Sequence, residues 1–120
     1  MDLAKPEIAV IDTATDTVLD RIALANTTDP AYKAYYSPDG KWLLTMAGSS
    51  IAVFDAADLK APQRTVIVGA SPMGIGFSAD GKTALIANHG DGTVSVLDIA
   101  SAKVTKTFKA GTGIETLTYY

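Results

Sequence analysis

The sequence predicts an all-β fold made of repeated four-stranded antiparallel sheets. Three observations predict it. The chain repeats itself with a period of 41 to 43 residues. Its apolar runs are short and rich in Val, Ile, Thr and aromatic residues, the types that suit a pleated surface. Turn residues break these runs every few positions, which leaves no room for a helix of about ten residues.

The repeat rests on several anchors in one order. Ile8-Ala9-Val10-Ile11-Asp12 returns as Ile51-Ala52-Val53-Phe54-Asp55 and as Val94-Ser95-Val96-Leu97-Asp98, 43 residues apart each time. Ser37-Pro38-Asp39-Gly40-Lys41 returns as Ser78-Ala79-Asp80-Gly81-Lys82, 41 residues later. Gly69-Ala70-Ser71-Pro72 stands 42 residues before Gly111-Thr112-Gly113-Ile114. The drift is expected to come from one-residue insertions in loops. A period of this length belongs to propeller blades or helical pairs, and the short runs select the blades.

The elements follow in order. Runs 8–11 and 18–24 read as the first two strands. Run 32–36 reads as an inner strand, and the turn at 37–41 leads to run 42–47. Asp39-Gly40, like Asp80-Gly81, supplies positive φ readily and marks a tight hairpin. A short loop leads to run 51–55, and a longer one through Pro62 to the outer strand 64–68. Residues 56–60 read as a single helical turn. Residues 69–72 cross to the next unit, with runs 75–77, 84–87, 94–97 and 104–108, and run 117–120 comes last. Small residues (Ala34, Gly74, Gly76) on inner strands suit blades converging on an axis, and charged outer strands protect a sheet edge. The expected fold class is therefore all-β, with β-propeller blades of four antiparallel strands. The one domain, 1–120, divides into a half blade 8–24, a blade 32–68, a blade 74–109 and an extra inner strand 114–120. That is about 2.75 blades, whereas rings usually close with about four to eight. The expectation is an open or partial propeller: a fragment of a longer one, or a unit that self-associates.

Composition narrows the function classes. The chain has 120 residues, 48% hydrophobic and 19% charged, which is a packing composition. Net charge is −3, so the basic footprint of a nucleic-acid binder is missing. There is no cysteine, hence no disulfide, thiol nucleophile or Cys-ligated metal. No run reaches the roughly 18 apolar residues of a membrane span. Residues 1–7 show no signal-peptide apolar region.

The residues resemble the YVTN-type β-propeller repeats. Ile8 to Asp16 and Val94 to Asp98 match the family's "VSVIDTATN" segment. Val66-Ile67-Val68-Gly69, Pro72 and Gly74 to Lys82 match its middle, and Leu85 to Thr93 its end. Ala79 replaces the usual Pro, and Leu44-Thr45-Met46-Ala47 lacks the terminal Asn. The resemblance implies a bacterial or archaeal, periplasmic or extracellular propeller. Its members range from binding and surface proteins to propeller parts of haem- and quinone-linked dehydrogenases.

The candidate chemical groups are few. Asp12, Asp55 and Asp98 end equivalent strands and are expected to bond nearby backbone N–H groups rather than a metal. Trp42, Tyr32, Tyr35 and Tyr36 are expected to pack between blades rather than form a ligand platform, as are Phe54, Phe77 and Phe108. The segment Asn88-His89-Gly90-Asp91-Gly92-Thr93 lacks the spacing and helical context of an EF-hand calcium loop. Gly74-Ile75-Gly76 is followed by no helix, so it is no dinucleotide fingerprint. No catalytic constellation, cofactor site or metal site is recognised. The expected role is a non-enzymatic binding or scaffold module acting through the loops at 25–31, 47–50, 69–72, 88–93 and 110–113. Asn88, His89 and Asp91 are the candidate ligand contacts. The partner is a protein or small molecule, besides a second copy or the rest of a longer propeller. The alternative is the propeller part of a haem- or quinone-linked periplasmic oxidoreductase.

Overall fold

Alternation of apolar and polar positions with a period of two gives each strand two faces. In this chain the runs at 42–47, 51–54, 72–77 and 84–87 are apolar on both faces, so the middle of each four-stranded sheet is suited to cover on both sides. The computed structural model describes residues 7–24, 31–59 and 63–111, the side chains of Ala31 and Tyr32 excepted. Ten strands form among them: β1 (Glu7–Asp12), β2 (Thr17–Ala23), β3 (Ala31–Tyr36), β4 (Trp42–Ala47), β5 (Ser50–Asp55), β6 (Arg64–Ile67), β7 (Pro72–Phe77), β8 (Thr83–Asn88), β9 (Thr93–Asp98) and β10 (Lys103–Lys109). They make a β1–β2 hairpin and two four-stranded antiparallel meanders, β3–β6 and β7–β10. No helix occurs among the described residues. The expected extra strand at 114–120 lies outside them.

The helical turn expected at 56–60 is corrected as far as residue 59. The Asp58 N–H donates to Asp55 O (3.1 Å), and the two residues form an isolated β-bridge. Asp55 itself captures the next turn, accepting from the Ala57 N–H through Oδ1 (2.9 Å). Asp12 does the same with the Ala14 N–H (2.9 Å). Asp98 differs: its Oδ2 accepts from the Ser101 hydroxyl.

The drift in the repeat includes the expected one-residue step, from 43 to 42 between Val53/Val96 and Arg64/Lys106, and one larger step. Gly48 and Ser49 join β4 to β5, whereas residues 89–92 join β8 to β9. The step from 41 to 43 is thus one two-residue lengthening in one hairpin loop.

Two apolar layers stack the sheets. Ile8 and Leu24 of the hairpin segment meet Leu43, Ala47, Ala52 and Phe54 of the first meander. The opposite face of that meander offers Leu44, Met46, Ile51, Val53 and Val66 to Ile75, Ile86, Leu97 and Ile99. Trp42, Tyr35 and Phe77 pack at the edge of this second layer, as expected. Tyr36 is exposed. Phe108 is 42% exposed, against the expectation that it packs. It pairs across β10–β9 with Val94, on the face turned away from the first meander. Side-chain bonds tie adjacent sheets: Gln63 Nε2 donates to Ala23 O (2.8 Å) and Lys33 Nζ to Met73 O (3.3 Å).

Thr45 sits in the hairpin-facing layer with 0% exposure, and its hydroxyl finds no partner among the described residues. A buried, unsatisfied hydroxyl costs about 1–3 kcal/mol. Thr45→Val keeps the shape and removes the group. It is expected to raise stability by about 1 kcal/mol in a urea titration. A loss of stability would show that the hydroxyl is satisfied.

The two Ser-x-Asp-Gly turns are copies. The Ser37 hydroxyl donates to Asp39 Oδ1 (2.5 Å), the Lys41 N–H donates to the same oxygen (3.1 Å), and the Trp42 N–H donates to Ser37 Oγ (3.1 Å). Ser78, Asp80, Lys82 and Thr83 repeat the pattern at 2.6, 2.9 and 3.0 Å. Gly81, at φ 72°, lies against Asp39 of the other turn, where a Cβ would fall 2.6 Å from the carboxyl carbon. The serine hydroxyl, and next the lysine N–H, hold each carboxyl below the usual range. A depressed folded pKa stabilises above the unfolded value of about 3.9, and the contribution is lost as pH falls through the folded value. Melting temperature is therefore expected to drop below about pH 4. Ser37→Ala with Ser78→Ala should flatten that drop, and an unchanged acid limb would contradict the assignment.

Candidate functional site

The loops at 69–72 and 88–93 meet at one end of the second meander. Antiparallel hairpins put β8–β9 and the β6–β7 crossover at the same end, and backbone bonds lock them. The His89 N–H donates to Ser71 O (3.0 Å) and the Gly90 N–H to Ala70 O (3.0 Å). The Gly92 N–H closes the loop on Asn88 O (2.9 Å). Ser71 accepts a φ of 51° to make the crossover.

The three candidate residues share this loop but differ in position. Asn88 is 0% exposed and faces the first meander. Its Nδ2 donates to Thr93 Oγ1 (3.1 Å) and Ser95 Oγ (2.9 Å). Its Oδ1 is buried with no partner among the described residues. His89 is half-buried at the start of the loop. Asp91 is exposed, and its Oδ2 accepts from the Ala70 N–H (2.8 Å), stapling the loop to the crossover.

Gly69 makes the close approach possible. A Cβ there would lie 2.5 Å from Asp91 Oδ2 and 2.8 Å from Asn88 Cγ. Sequence reasoning placed Gly69 and Ala70 in one of the binding loops but not against Asn88 and Asp91. The signal was present in the offset change from 41 to 43, which falls between Asn88 and Thr93. The loops at 25–30 and 112–113 lie outside the described residues. Among the described residues no three His, Asp or Glu side chains gather around one point. The loop offers an imidazole and a carboxylate on a rigid backbone, groups suited to hydrogen bonding a ligand.

A second polar feature lies at the opposite end, between the meanders. Arg64 stacks over the Trp42 ring at 5.2 Å from its centroid. Its guanidinium donates to Ile99 O (3.1 Å) and Ala100 O. The planar fork reaches two successive carbonyls of the neighbouring sheet.

No protein-family model matches the chain, and no curated protein matches it. Solved structures do. Hydrazine synthase of Kuenenia stuttgartiensis is 27% identical over 71% of this chain and 24% of its own, with a TM-score of 0.64. Dihydro-heme d1 dehydrogenase NirN, solved with DHE, is 17% identical over 97% of this chain and 26% of its own, with a TM-score of 0.74. Sqt1 of Saccharomyces cerevisiae is 17% identical over 98% of this chain and 35% of its own, with a TM-score of 0.83. The neighbours are β-propeller proteins, and the sheets described above have the propeller-blade fold. The chain spans between 24% and 35% of these structures.

Proposed function

We propose that this chain is a non-enzymatic binding or scaffold module built of YVTN-type propeller repeats. It works within a larger assembly, either a longer propeller or associated copies, and outside the cytoplasm. It binds a small molecule or protein through the loop end at 69–72 and 88–93. His89 and Asp91 make the contacts, and Asn88 holds the loop from beneath. The observation that carries this reading is the two-residue lengthening of the β8–β9 loop, stapled by Asp91 to the Ala70 N–H (2.8 Å). A rigid, protruding loop on a scaffold is where binding residues concentrate. The match of residues 66–98 to the repeat pattern supports the family.

The test is a thermal-shift screen against a metabolite library, run on the wild type and on His89→Ala with Asp91→Asn. Hits lost in the variant support the loop end. Hits retained in the variant place binding elsewhere. A second reading draws on the names of two structural neighbours, a hydrazine synthase and a dihydro-heme d1 dehydrogenase. It makes the chain the propeller part of a haem- or quinone-linked periplasmic oxidoreductase. An absorption spectrum separates the two: a Soret band in purified protein favours the redox reading, and a colourless protein counts against it.

A further inference from the structure

The contact that joins the two meanders has a donor twin in β10 and an acceptor twin in the turn between β1 and β2. Within β6–β5, Arg64 pairs with Val53 and Val66 with Ile51. Within β10–β9, Lys106 pairs with Val96 and Phe108 with Val94. Val53 and Val96, like Ile51 and Val94, are equivalent in the repeat. Lys106 therefore stands where Arg64 stands, and Phe108 where Val66 stands. The aromatic neighbours are not equivalent, since Trp42 has Thr83 as its counterpart, but each cation lies over a ring: Arg64 over Trp42 at 5.2 Å, and Lys106 over Phe108 at 5.8 Å. Val66 is buried by the next sheet, whereas Phe108 remains 42% exposed. Arg64 spans to Ile99 O and Ala100 O, whereas Lys106 meets no carbonyl among the described residues.

The acceptor is duplicated as well. Arg64 grips the four-residue turn 99–102, which ends on Ala102 at φ 53°. The turn 13–16 between β1 and β2 has the same length and ends on Asp16 at φ 55°, 86 residues earlier. Thr13 and Ala14 thus present the carbonyls that Ile99 and Ala100 present. Both are exposed. Next to them, on the hairpin face turned away from the first meander, the cross-strand pair Ile11 and Val18 is 54% and 51% exposed.

We infer that the outer face of β9–β10 docks onto the outer face of the β1–β2 hairpin of a second copy of this chain, with Lys106 gripping the carbonyls of Thr13 and Ala14. The contact repeats between molecules what Arg64 does within one. It joins two different surfaces, so it is heterologous and runs head to tail. This inference rests on the reading of the chain as a module of a larger assembly, and is independent of the loop-end ligand site.

The test is sedimentation velocity of the full chain over a concentration series. Wild type is expected to show multiples of the chain mass. Phe108→Glu and Ile11→Lys, both at exposed positions, should each be monomeric with unchanged circular dichroism. Their one-to-one mixture should regain a two-chain species, because one intact surface of each kind survives. Lys106→Arg should tighten association about tenfold, since a fork replaces a point charge, and Lys106→Met should weaken it. A wild type that stays monomeric overturns the inference, whatever covers the face instead. So does association that neither exposed substitution affects, or a mixture that stays monomeric. None of these outcomes touches the loop-end reading, whose readout is ligand-induced melting.

Discussion

Leu44→Ala is expected to lower the unfolding free energy by about 3 kcal/mol. Leu44 is fully buried on the face that joins the two meanders, among Met46, Ile51, Val53, Ile86 and Leu97. Removing its branched end loses transfer free energy and leaves a cavity. Buried Leu→Ala changes cost about 2–5 kcal/mol, and the higher values belong to sites that cannot collapse. This one lies between two sheets whose strands are fixed by hydrogen-bond ladders, so the walls cannot close in. For a chain of this size the melting temperature should fall by roughly 10–20 °C. Ile67→Ala, at a 72% exposed position of β6, provides the contrast and should change stability by less than about 0.5 kcal/mol. Calorimetry of both variants checks the pair. A loss below about 1 kcal/mol for Leu44→Ala would show that the sheets do slide together.

Gly69→Ala is expected to cost about 2 kcal/mol and to lift the loop at 88–93. The new methyl would meet Asp91 Oδ2 at 2.5 Å, Asn88 Cγ at 2.8 Å and Asn88 Cβ at 2.9 Å. The Asp91 carboxylate can swing away, but only by releasing the Ala70 N–H. Asn88 Cβ is fixed to the β8 backbone, and its amide is held by Thr93 and Ser95. Overpacking of this kind costs about 1–3 kcal/mol. Asp91→Ala loses the staple alone and should cost about 1 kcal/mol. The double variant should be less destabilised than the sum, because part of the clash has gone. Urea titrations of the four proteins close the cycle. Hydrogen exchange at the His89 and Gly90 amides should quicken in Gly69→Ala, since both bond the displaced crossover. Strict additivity would show that Asp91 already stands clear of Gly69.

Much of the fold is legible in the residues because its causes are local. Asp39-Gly40 and Asp80-Gly81 carry their own turn chemistry, and each serine and aspartate bonds within five residues of itself. The apolar runs alternate between faces wherever they lie, so eight expected runs fall within observed strands, and runs 18–24 and 64–68 each end one residue past theirs, β2 and β6. The misread elements have nonlocal or competing causes. Residues 56–59 form a turn in which Asp58 bridges back to Asp55, its N–H donating to Asp55 O. Phe108 is 42% exposed on the face turned away from the first meander, where its cross-strand partner Val94 is 1% exposed, and composition cannot tell which part of a face is covered.

The candidate site divides in the same way. The sequence marks Asn88, His89 and Asp91 as one polar loop interrupting a repeat, and the loop is found where the repeat lengthens. It does not show that Asn88 is buried, that Asp91 is bound to Ala70, or that Gly69 is the space both occupy. Those facts require a crossover more than fifteen residues away in the chain to be set against the loop. By itself the sequence determined the period, the strands and the tight turns, since alternation and turn propensity act over a few residues. The tertiary structure alone decided which face of each sheet is mated, because Arg64 reaches Ile99 and Ala100 only once the meanders are stacked.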